Sequence, residues 1–96
     1  MAKLIRFWVE FEKPDEDVIK NIVRKGVGRG CGVTAFTKED AINIMKETVF
    51  RNEDLPKILK LIENVDVNTL DQGHVIPNMG VVSIRGIWHP KGHSFL

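Results

Sequence analysis

The pattern of residue types predicts an α+β fold, a small two-layer sandwich of about four strands, mixed or antiparallel, with two helices. Three observations predict it. Residues 4–12 alternate apolar and polar side chains with the period of a half-buried strand. Two later segments repeat apolar residues at helical spacing behind acidic or threonine starts, and a β-branched run stands near the end. The order strand, helix, strand, helix, strand, strand is compatible with a ferredoxin-like arrangement. Ninety-six residues give one core, so residues 1–96 are read as a single domain.

In the first strand Ile5, Phe7, Val9 and Phe11 share one face, and Arg6, Trp8, Glu10 and Glu12 the other. Trp8 therefore stands on the polar face and needs cover from another element. Pro14 ends the strand, and Asp15, Glu16 and Asp17 supply the negative charge that a helix N-terminus favours. Val18, Ile19, Ile22 and Val23 then form the apolar face of a helix of about three turns, which Gly26 stops. Residues 26–32 hold four glycines in seven positions and lead into a short strand at residues 33–36. Thr37 caps a second helix over residues 38–50, with Ala41, Ile44, Met45, Thr48 and Val49 as its stripe. Residues 57–65 fit either a helical face or a two-sided strand, and their short length between Pro56 and the turn-rich residues 66–73 favours a strand. The β-branched residues 81–88 predict the last strand, closed by Pro90 and Gly92.

Composition excludes several classes. A net charge of +1 lacks the basic excess of nucleic-acid binders, and hydrophobic content of 43% with 28% charged residues is that of a globular domain. The single cysteine cannot make an internal disulfide, no stretch is long and apolar enough to span a membrane, and Arg6, Glu10 and Glu12 interrupt any signal-like core. These features predict a cytoplasmic protein.

The candidate chemistry is sparse. Glycines at 26–32 let backbone N–H groups approach a phosphate, so Gly28, Arg29, Gly30, Cys31 and Gly32 form a candidate ligand loop. A helix before the glycines and a strand after them reverse the dinucleotide-binding order, and the P-loop Lys-Ser or Lys-Thr pair is missing. Arg29 beside Cys31 favours a thiolate, with His74, His89 or His93 as the base, but no cysteine-hydrolase signature surrounds it. His89 and His93 stand four apart, as zinc ligands do on a helix, yet Pro90 and Gly92 oppose a helix there, so no metal site and no cofactor are expected. Trp88 and Phe95 are further aromatics, for which core packing is the simpler role. Charge runs in blocks: residues 10–17 sum to −4, residues 20–29 to +4 and residues 53–71 to −3. The first acidic block, Glu10, Glu12, Asp15, Glu16 and Asp17, with Trp8 as an aromatic anchor, is a candidate surface for a basic protein partner.

Residues 5–11, 30–36, 64–71, 74–80 and 85–90 resemble those of small single-domain bacterial proteins of unassigned function. The chain further resembles immunity proteins of contact-dependent growth inhibition and related polymorphic toxin systems. That resemblance implies a non-enzymatic cytoplasmic protein that binds one toxin domain and occludes its active site, and it assigns no role to any particular residue. The competing expectation is a small-molecule or phosphate-binding protein, a carrier or an enzyme, with a concave pocket beside residues 28–32. A third is a homo-oligomer paired through an open strand edge.

Overall fold

The computed structural model describes residues 3–92. Its elements are β1 (Ile5–Phe11), α1 (Glu16–Arg24), β2 (Cys31–Ala35), α2 (Lys38–Thr48), β3 (Ile58–Glu63) and β4 (Gly86–His89), with single 3₁₀ turns at Val67–Thr69 and Ile76–Asn78. The strands make one sheet in the order β3-β1-β2-β4, with every neighbouring pair antiparallel. The α+β class and the two helices are as the sequence predicts. The ferredoxin-like arrangement is not formed, because it needs a parallel central pair. Here Val9 lies opposite Cys31, so β2 begins where β1 ends and residues 12–30 make a closed excursion at that end of the sheet.

The excursion is built from local rules. Asp15 caps α1 by accepting from the Val18 N–H at 2.9 Å, Glu16 and Asp17 occupy the first turn, and Arg24 the last. At the other end the Gly26 N–H donates to the Val23 carbonyl and the Val27 N–H to the Ile22 carbonyl, a Schellman stop that places Gly26 at φ +81°. Thr37 caps α2 through the Asp40 N–H, and the helix ends at Thr48, with Val49 as its C-cap.

One face of the sheet carries Phe7, Val9, Phe11, Cys31, Val33, Ala35 and Ile87, packed against Ile22 of α1 and Ala41, Ile44, Met45, Val49 and Phe50 of the α2 region. The other face is covered by the coil of residues 64–85, which packs Val65, Val75 and their neighbours onto Trp8 and Trp88. Trp8 is buried, as its place on the polar face requires, and its indole N–H donates to Glu10 at 2.9 Å.

The last strand is shorter than its β-branched run predicts, covering Gly86–His89 and leaving residues 81–85 in a turn with Val81 exposed. Partner length decides this. β2 ends at Ala35, where the next N–H, of Phe36, turns to the Asp40 carboxylate, so residues before Arg85 have no strand to pair with. The Asp40 carboxylate also accepts from Arg85 Nε at 3.0 Å, tying that turn to the start of α2.

Two glycines of the 26–32 segment are needed by the tryptophans. A β-carbon at Gly32 would lie 2.4 Å from the Trp88 ring, and one at Gly30 2.4 Å from the Trp8 ring. Gly32→Ala is therefore expected to cost about 2 kcal/mol in urea denaturation, whereas Gly73→Ala, whose added methyl meets only the Asp71 side chain, stays within about 0.5 kcal/mol of the parent.

Candidate functional site

At the end of the sheet where β1 leaves and β2 enters, a cleft of about 550 Å³ opens between α1 and the 71–78 turn. Gly26 and Gly28 contribute backbone to its wall, and Lys13, Arg29 and His74 line it as well. Ile19 and Val23 form an apolar wall from α1, and Asn78 and His89 complete the lining. No carboxylate is among these residues.

A neighbouring depression of about 330 Å³ shares Lys13, Gly28 and Arg29 and reaches Trp8, Glu10 and Asp71. The Asp71 carboxylate holds the two regions together. It accepts from Arg29 Nη1 at 3.2 Å and from the N–H groups of Gly73 and His74 at 2.8 and 2.9 Å, with His74 Nδ1 at 3.3 Å. The backbone bond from His74, with that from Gly73, holds the Asp71 carboxyl below the usual carboxylate range. Arg29 remains about half exposed despite this pair, and Lys13 makes no ion pair among the described residues.

His89 is 3% exposed and packs its ring against Trp8 at 5.6 Å. Its Nδ1 is buried without a hydrogen-bond partner among the described residues, as is Trp88 Nε1. Burial lowers the His89 pKa, opposed in part by a backbone bond with Asn78.

The sequence-derived candidates divide. Of the glycine loop, Gly28 and Arg29 reach the cleft, whereas Gly30 is buried under Trp8, Cys31 in the core and Gly32 under Trp88. Burial pushes the Cys31 thiol up, away from the thiolate a nucleophile needs. Trp8 is 3% exposed and is no surface anchor. Glu10 and Glu12 are half-buried, Glu10 bonded to Trp8 and Glu12 3.9 Å from Lys57, while Asp15, Glu16 and Asp17 are exposed at the start of α1. Sequence points to His74 only as a base for Cys31 and assigns no binding role to Asp71, Asn78 or Lys13, because only the packing of the 64–85 coil brings Asp71, His74 and Asn78 to Gly28. His93 and Phe95 lie outside the described residues, among which no group of three or more His, Cys, Asp or Glu could hold a metal ion. No described helix is long and apolar enough to cross a membrane.

Fold and site together define a small α+β protein with a cation-lined cleft at one end of its sheet. No family model matches the chain, and no curated protein or solved structure matches it either.

Two outcomes check this geometry. The unfolded chain takes up a proton at His89 more readily than the folded one, so His89 lowers stability as pH falls below its ordinary value of 6.5. Denaturation midpoints measured from about pH 7 to about pH 5.5 should fall, and His89→Phe should flatten that slope; a slope unchanged in the variant would assign it to other groups. Cys31 should resist a thiol reagent in native buffer and react fully in denaturant; rapid native labelling would show the β2 strand to be open.

Proposed function

We propose that the protein binds a small molecule through an anionic group, of the phosphate or carboxylate kind, in the cleft beside Gly26 and Gly28. The observation that carries this reading is Lys13, without an ion-pair partner among the described residues, standing with Arg29, His74 and glycine backbone around one concavity; Asp71, from the neighbouring depression, pairs with Arg29 and His74 and leaves Lys13 as the uncompensated charge. A volume of about 550 Å³ is of the size that small-molecule sites have. Lys and Arg attract the anion, Arg adds a planar donor fork, and the absence of a side chain at Gly28 lets a ligand approach the main chain.

A second reading is an inhibitor that meets a basic protein partner, such as a toxin domain, through its acidic segment. Exposed Asp15, Glu16 and Asp17 in one short stretch support it. Its support is thinner, because those acids already serve the α1 N-terminus and the tryptophan beside them is buried.

Titration of the isotope-labelled full chain with inorganic phosphate tests the first reading. Saturable shifts are expected at the amides of Gly28 and Arg29, with Lys13→Ala weakening affinity about fivefold and Lys20→Ala leaving it within about twofold. Shifts that never saturate, or equal losses in the two variants, would remove the support for a defined site and leave the protein-partner reading as the better one.

A further inference from the structure

The α1 helix carries more apolar surface than its packing uses. Val18, Ile19, Ile22 and Val23 read as one face, but only the stripe of Val18 and Ile22 joins the core, with Ile22 fully buried. Ile19 and Val23, one turn apart, are 37% and 60% exposed. Single exposed apolar residues are ordinary on a protein surface. These two are different because both line the cleft that also holds Lys13, Arg29 and His74. Gly28 adjoins them: a β-carbon there would stand 3.2 Å from Val23 Cγ2, so the glycine leaves the valine open to the cavity. The cleft therefore has a cationic wall and an apolar wall, and its volume exceeds what a bare phosphate fills.

Resting on the anion-binding reading of the same cleft, we infer that its ligand is an organic anion that joins a phosphate- or carboxylate-type head to an apolar body, such as an aromatic ring. The head lies towards Lys13 and Arg29, and the apolar body lies against Ile19 and Val23. Water leaves both apolar surfaces on binding, which is what favours such a compound over the inorganic ion.

Phenyl phosphate and inorganic phosphate are the probes, titrated into the full chain and into Ile19→Thr/Val23→Thr, which keeps the β-branched shape and removes apolar surface. The wild-type chain should bind phenyl phosphate about tenfold more tightly than phosphate, with methyl shifts at Ile19 and Val23. The double variant should lose that preference while its affinity for phosphate stays within about twofold. Should the double variant prove unfolded by its amide spectrum, Val23→Thr alone takes its place, with at least half the preference lost. Equal affinity of the wild-type chain for both probes would overturn the inference and leave the anion site standing. A preference that survives loss of the apolar wall would also overturn it. Saturable binding of neither probe would end both readings.

Discussion

Two indole rings lying on bare backbone organise this molecule. Trp8 covers Gly30 and Trp88 covers Gly32, and the two rings stack with centroids 6.0 Å apart. Any side chain at either glycine would overlap an indole, so the spacing of the glycines and the burial of the tryptophans are one constraint. It lets a four-stranded sheet bury both faces in a short chain, with helices on one side and coil on the other. The arrangement leaves Trp88 Nε1 and His89 Nδ1 buried without protein partners among the described residues, which opposes burial through lost hydration. Apolar contact from two large aromatic rings offsets it.

The coil over the tryptophans is held by a few long-range hydrogen bonds. Arg6 and Val65 exchange two, Thr34 Oγ1 donates to the Val82 carbonyl, the Gly80 N–H donates to the Trp88 carbonyl, and Arg29 reaches Asp71. The last contact matters for the cleft. Gly30 is pinned under Trp8, which sets the path of the residues just before it and carries Arg29 to the rim, where Asp71 steadies the guanidinium. Packing on one face of the sheet thus positions the charged groups at its end.

The charge blocks have largely local causes. Asp15, Glu16 and Asp17 complement the N-terminus of α1 and Arg24 its C-terminus, which accounts for much of the swing from −4 to +4 between residues 10 and 29. Glu10 serves Trp8, Glu12 lies near Lys57, and Asp40 joins the Phe36 N–H to Arg85. Lys13 stands outside this scheme among the described residues, and it stands at the cleft.

Features that depend on neighbours along the chain can be read without the fold. The alternation of β1, the threonine cap and stripe of α2 and the acidic start and glycine stop of α1 were legible, because period and capping are local, whereas the period of residues 57–65 fitted helix and strand alike and only their short length favoured the strand that forms. Tertiary structure decided the rest. The β-branched run at 81–85 is a turn because β2 offers no partner that far, and Ile19 and Val23 lie outside the core because the sheet receives only one stripe of α1. Gly30 and Gly32 belong by sequence to a glycine-rich candidate loop, but in the fold they lie under the rings of Trp8 and Trp88. The cleft was half legible: Gly28 and Arg29 stood out in the sequence, but Lys13, His74 and Asn78 come from segments far apart in the chain. Which of them meet is set by strand register and by how the coil packs on two indoles, and neither quantity is written in any single stretch of residues.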